Sequence, residues 1–402
     1  MLRRSVMTPD VTLILTLSLL LWLSPFIAKG LRMPTPPIEI ILGTLLTSAG
    51  LLHDNEYFKL IAEVGFLYLM FLAGMEVNLK EISSSPSRVI RQALFFVLSL
   101  GGLALLSGLL LKLNPIVIVS LPLISIGMLA SLTKIHGRKE RWLNLAIIVG
   151  VLGEIASIAA LTILDAASTV GFGWELIFKI AYLVLFIAAI YIAYHLLHLL
   201  FWWFPELKKK LMPRADTSDQ DIRLAMALFF MMITVMLLLH LELALGAFIA
   251  GVAISAFFHH EKRLEEKMSS LGFGFLVPLF FIHVGVSFDL PSIRIPGVLS
   301  GALLITGLMV GIRILAAFHL RKLTGAFDAL TVAFALSMPL TLLIAVATIG
   351  YTTNNISLIT YYKLILASLF EVILAMGMLK ILGIYREKQK QKAWRREKLT
   401  PR

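Results

Sequence analysis

The sequence predicts an all-α polytopic membrane protein of about 13 transmembrane helices, two of them broken at matching places. Three observations carry this expectation: an apolar composition, thirteen apolar runs long enough to span, and a Lys/Arg pattern that alternates from loop to loop. Of 402 residues, 59% are hydrophobic and 15% charged, against about half and a quarter in a soluble domain. The net charge is +12, but the cations cluster in short segments between apolar runs and at the C-terminus. That is the pattern of membrane topology rather than of a nucleic-acid face. With no cysteine, disulfides, thiolate metal centres and cysteine nucleophiles are excluded.

A bilayer core about 30 Å thick takes roughly 20 apolar residues per helix. The first run, 11–31, follows a basic start, yet it is long enough to span and lacks the small-residue site of a cleaved signal peptide. Runs at 36–52, 58–77, 89–111, 115–132, 143–164 and 176–203 follow. A polar linker, PELKKKLMPRADTSDQDIR, leads to 224–239 and 243–258, a short pair parted only by HLE. The last four runs are 271–288, 298–320, 329–351 and 358–381. Short cytoplasmic loops carry an excess of Lys and Arg. With the N-terminus outside and the C-terminus cytoplasmic, 27 of the 36 cations fall inside and six outside, with Lys179, Arg313 and Lys380 within spans. Adding or removing one helix scrambles that asymmetry. The basic tail 386–402 is expected in the cytoplasm, either against anionic lipid headgroups or as a solvated stop signal.

The fifth run contains SLPLIS, 120–125, and the twelfth SMPLTL, 337–342. Pro122 and Pro339 each remove a helical hydrogen bond, and in a membrane the freed backbone groups must find another partner. Paired interruptions in two halves of a chain point to the binding site of an inverted-repeat transporter, although each alone is an ordinary proline kink. Two charges lie deep in apolar runs: Glu154, in GVLGEIASIAA, and Arg313, in ITGLMVGIRILAAFHL. A charge at mid-bilayer costs about 2.5 to 3.5 kcal/mol even on insertion scales, so such residues face the protein interior and take a partner. Glu154 and Arg313 are thus expected to interact, directly or through water. Glu76, Glu242, Asp289 and Glu371 are placed nearer span ends, as solvated or capping groups. His195 and His198, in YHLLHLL, share a helix face and keep open a metal-dependent enzyme or sensor.

The segment GAFIAGVAISAFFHHEKRLEEKMSSLGFGFLVPLFFIHVGVSFDL resembles the LGAFLAG to PLFFVxVGMSLD stretch of monovalent cation/proton antiporters of the CPA2 type. LRMPTPPIEIILGTLLTSAGLL, FLYLMFLAGMEVNL and LTKIHGRKERWLNLAIIVGVLGEIASIAAL agree with the same family, so the resemblance runs from about Leu31 to Leu382. It implies the sodium/proton antiporter fold, with inverted repeats and two broken crossing helices. Within a single membrane domain, 1–402, it implies scaffold and homodimer helices at 11–77 and 224–288. Core helices fall at 89–164 and 298–381, a linker helix at 176–203 and a cytoplasmic tail at 386–402. The activity implied is exchange of Na+ or K+ for protons in a prokaryotic cytoplasmic membrane, among lipids, with no organic cofactor and no nucleic acid. Glu154 falls at the place of the ion-binding acid and Arg313 at that of the family's basic residue. Ser125, Ser157 and Thr341 are the hydroxyls expected to complete the shell of a monovalent cation at Glu154. The chain departs from the family in carrying Gly153 where a polar residue precedes the acid, and Met338, Pro339, Leu340 and Thr341 in the twelfth helix. One carboxylate in place of two keeps open a channel-like efflux component without obligatory proton exchange.

Overall fold

The computed structural model describes residues 9–31, 33–77, 84–126, 129, 140–170, 174–203, 206, 219–239, 241, 243–258, 262–288 and 290–399. Glu242 and Asp289, the linker 207–218 and most of the second half of the fifth apolar run lie outside them. The described residues form helices and connections, with no strand among them. In chain order the helices are α1 (Pro9–Leu31), α2 (Thr35–Ser48), α3 (Glu56–Met75), α4 (Ser87–Leu110), α5 (Pro115–Ser120), α6 (Arg141–Val170), α7 (Trp174–Trp203) and α8 (Gln220–Leu239). They continue as α9 (Leu243–Phe258), α10 (Lys262–Leu271), α11 (Val277–Val286), α12 (Val298–Ala316), α13 (Arg321–Thr324), α14 (Ala326–Ala335), α15 (Leu340–Thr352) and α16 (Leu358–Leu399). A π turn, Gly272–Leu276, joins α10 to α11 without a break. Among the described residues, eight helices are long and apolar enough to cross a membrane, nine if α14 and α15, bent by 47°, count as one broken span.

Helix starts follow ordinary capping chemistry. The Asn55 side chain accepts from the Phe58 N–H at 2.9 Å ahead of α3, and Asn114 accepts from the Ile116 N–H at 2.9 Å ahead of α5. Pro115 occupies the first helical position, where a missing N–H costs nothing. Along α7, Trp174 is exposed at one end and Trp202 and Trp203 at the other. The 28-residue separation is about 42 Å of helix, the thickness of a bilayer with its interfacial zones, where tryptophan collects.

The chain divides into two compact units. One contains Met1–Ser85, Ile155–Ile295 and Thr348–Leu358; the other contains Pro86–Glu154, Pro296–Ala347 and Ile359–Arg402. In the first, α9 packs on α3, α11 on α2 and α3, and α8 on α9. Glycine makes two of these crossings close. A Cβ on Gly251 of α9 would lie 2.0 Å from the Phe71 carbonyl oxygen, and one on Gly285 of α11 would lie 2.1 Å from that of Ile40. Without a hydrophobic drive between helices in lipid, such close backbone approach and interhelical hydrogen bonds are what hold them. Thr44 donates to the Gly285 carbonyl at 3.0 Å, Ser255 to that of Val77 at 2.9 Å and Tyr68 to that of Met268 at 3.1 Å. Glu39 of α2 is buried and accepts from the Ser24 hydroxyl of α1 at 3.1 Å.

In the second unit α12 packs on α4 and α14. Thr306 of α12 reaches the Ala367 carbonyl of α16 at 3.3 Å. Arg386, farther along α16, pairs with Glu140 at 2.8 Å and Asp328 at 2.5 Å. Its guanidinium lies 5.6 Å from the Trp142 ring centre and 5.4 Å from that of Phe327. It thereby ties the start of α6 and the first turn of α14 to α16.

Candidate functional site

Both proline motifs interrupt their helices. α5 ends at Ser120, whose hydroxyl donates back to the Val117 carbonyl at 2.7 Å. α14 ends at Ala335, and Ser337 donates back to the Ala333 carbonyl at 2.9 Å. Pro339 precedes α15 and its carbonyl accepts from the Leu343 N–H at 2.9 Å, so this proline begins a helix rather than bending one. The residues between Leu121 and Ile126 are irregular and buried or nearly so, which obliges their backbone groups to find partners outside a helix.

Two charged side chains meet that obligation from opposite sides. Glu154 of α6, fully buried, accepts from the Ile126 N–H through Oε2 at 2.8 Å and from the Ser125 hydroxyl through Oε1 at 3.4 Å. The Ser125 and Thr341 hydroxyls lie 3.3 Å apart, so a chain Thr341, Ser125, Glu154 ties both breaks to one carboxylate. Arg313 of α12, also fully buried, donates through Nη2 to the Leu123 carbonyl, two residues before Ser125. Its Nη1 donates to the Met309 carbonyl at 2.9 Å and to Glu371 Oε1 of α16 at 2.7 Å. Ser157, three residues beyond Glu154 on α6, is buried.

Of the residues expected from the sequence, Ser125 bonds Glu154 directly and Thr341 joins through Ser125, Pro122 and Pro339 lie in the two breaks, and Arg313 joins through Leu123. Glu371 requires a correction. It was expected near a span end as a solvated or capping group, whereas it is fully buried and holds the ion pair with Arg313. The opposite charge bonded to Arg313 is therefore Glu371 and not Glu154. The signal was available: Glu371 lies thirteen positions after Leu358, near the middle of the last apolar run. Glu76 caps the C-terminus of α3, close to its expected place.

Gly153 also has a structural reason. A Cβ there would fall 2.4 Å from Ile124 Cδ1 and 3.0 Å from its Cβ, so a branched hydrocarbon from the first break occupies the space beside Glu154. His195 is exposed on α7, and the side chain of His198 is outside the described residues. Among the described residues, no three His, Cys, Asp or Glu side chains converge as a metal site.

A polytopic helical protein whose two interrupted helices converge on one buried carboxylate has the architecture of a secondary ion transporter. A family model described as "Sodium/hydrogen exchanger, transmembrane" matches residues 14–384, and the chain belongs to that family, one of transporters rather than enzymes. It is similar to the putative Na(+)/H(+) antiporter YjbQ of Bacillus subtilis (strain 168), 25% identical over 381 residues, which are 84% of this chain and 57% of that protein. It is also similar to the Na(+)/H(+)-K(+) antiporter GerN of Bacillus cereus, 26% identical over 283 residues, 65% of this chain and 68% of that one. The chain thus spans little more than half the length of the Bacillus subtilis protein. The structure of the sodium proton antiporter MjNhaP1 from Methanocaldococcus jannaschii at pH 8 shares the fold, with a TM-score of 0.67 and 13% identity over 93% of this chain and 99% of that one.

Proposed function

We propose that this protein exchanges a monovalent cation, Na+ or K+, for protons by alternating access, with Glu154 as the site at which the two compete. The observation that carries this reading is the position of Glu154. Among the described residues it is the one buried charge of its unit with no opposite charge bonded to it; it bonds the first break directly and reaches the second through Ser125. A proton or a monovalent cation each neutralises the carboxylate, whereas the empty anion is costly to carry through a low-dielectric core. The carrier therefore moves loaded, and exchange is coupled. Hydroxyls of Ser125, Ser157 and Thr341 supply the further oxygens that a hard cation takes in place of water.

By this reading the helices at 89–164 and 298–381 carry the ion in a rigid-body movement, and those at 11–77 and 224–288 form the scaffold and the homodimer contact. The printed names of the relatives support sodium, and one of them supports potassium as well. The bacterial origin of those relatives supports a prokaryotic cytoplasmic membrane. Competition fixes the sign of the pH dependence: as pH falls, protons occupy Glu154, and the apparent KM for the cation rises in proportion to proton concentration.

The test is cation-induced collapse of an imposed pH gradient in proteoliposomes. Glu154→Gln, which keeps shape but cannot carry a charge, is expected to abolish the signal with sodium and with potassium. Full activity in that variant would sink the proposal.

A further inference from the structure

We infer that Glu371 is a positioning residue for ion binding, acting on the Glu154 site through Arg313. The inference rests on the reading of Glu154 as the transport site. A continuous path of contacts joins the two carboxylates. Glu371 Oε1 takes Arg313 Nη1 at 2.7 Å, Arg313 Nη2 takes the Leu123 carbonyl, and the irregular chain from Leu123 runs directly to Ser125 and Ile126, the two residues that bond Glu154. The first break thus has its carbonyl side fixed by a cation and its N–H side fixed by an anion. Removing the anchor of the cation leaves the carbonyl side unconstrained.

The pair is poorly explained as a stabilising device. Arg313 Nε and Glu371 Oε2 are both buried with no hydrogen-bond partner among the described residues. A buried ion pair repays its desolvation only when its remaining polar atoms are satisfied, and well-packed apolar residues do as well or better otherwise. An incompletely satisfied pair in a membrane helix is retained for what it does to its surroundings. Two effects follow from its geometry. Glu371 holds Arg313 where its second arm reaches Leu123. Glu371 also cancels the guanidinium charge, so that Glu154 attracts a cation with its charge undiminished.

The experiment uses the full chain in proteoliposomes, with the sodium KM, maximal rate and pH profile of exchange as readouts. Glu371→Gln leaves Arg313 uncompensated, and a bare guanidinium repels sodium ions and protons alike from Glu154. We expect the sodium KM to rise about tenfold or more and the pH profile to move toward acid, because more protons are needed to load the site. The double variant Arg313→Gln with Glu371→Gln restores neutrality and is expected to return the pH profile toward that of the native protein. Glu371→Asp keeps the charge but draws Arg313 back from Leu123; it is expected to raise KM without moving the pH profile, and it decides the matter if Glu371→Gln does not assemble. Native KM and pH profile in Glu371→Gln, or native KM in Glu371→Asp, overturn the inference. Absence of exchange in the unmutated protein instead overturns the assignment of Glu154, so the two failures are distinct.

Discussion

Thr341 reaches Glu154 only through Ser125, by a hydroxyl contact of 3.3 Å followed by one of 3.4 Å. Neither distance is short, and each hydroxyl has a free lone pair to offer an ion between them. Thr341→Val removes the hydroxyl with almost no change of shape, while Thr341→Ser keeps it. Loss of one such contact is worth about 1 kcal/mol, so the valine variant is expected to raise the cation KM about fivefold in the proteoliposome assay. The serine variant should stay near the native value, and equal effects of the two would remove Thr341 from the site. At this scale the sequence exposes what is costly: Glu154 and Arg313 stand out because charge in hydrocarbon needs a reason. It does not expose who answers whom. Five acids lie within the apolar runs, Glu39, Glu63, Glu76, Glu154 and Glu371, and only the meeting of α12 with α16 shows that Glu371 takes Arg313. Gly153 reads in the sequence as a missing acid, yet the crowding that favours glycine there comes from Ile124, in the irregular first break.

Proline announces the two breaks in the linear chain because it forbids the helical hydrogen bond wherever it occurs. Glycine at a helix crossing announces nothing, since which face it lies on and what that face meets belong to neither helix alone. Gly251 and Gly307 look alike in sequence, each within an apolar run. Their surroundings differ: a Cβ on Gly251 would meet the Phe71 carbonyl oxygen at 2.0 Å and the Met75 nitrogen at 2.8 Å, while nothing lies within 4 Å of one on Gly307. Backbone atoms cannot rotate aside, so Gly251→Ala must push α9 from α3. Overpacking of this kind costs about 1 to 3 kcal/mol. The expected result is a lowered midpoint of thermal unfolding in detergent for Gly251→Ala and an unchanged or slightly raised one for Gly307→Ala, alanine being the better helix former. Equal midpoints for the two would show that the α3–α9 crossing is looser than its geometry.

Charge placement acts on the whole chain. The count of thirteen crossings rests on apolar length, and its orientation on the excess of Lys and Arg facing one side, because positive loops are retained in the cytoplasm during insertion. Both parts are testable at once, since the protein contains no cysteine and single cysteines report their side without interference. Lys59, at the start of α3, and Lys388, on the distal part of α16, are both exposed. Eleven of the thirteen runs lie between them in the sequence, an odd number, which places them on opposite faces. In right-side-out vesicles a membrane-impermeant maleimide is expected to label Lys59→Cys at once and Lys388→Cys only after permeabilisation. Labelling of both before permeabilisation would mean an even number of crossings between the two residues, with one apolar run failing to span. The short pair α8 and α9 is where such an error would fall, because those helices, at 20 and 16 residues, sit at or below the length a bilayer core requires. The reverse pattern, with Lys388→Cys alone labelled at once, would keep the crossings and invert the protein, a result that loop charge of this size argues against.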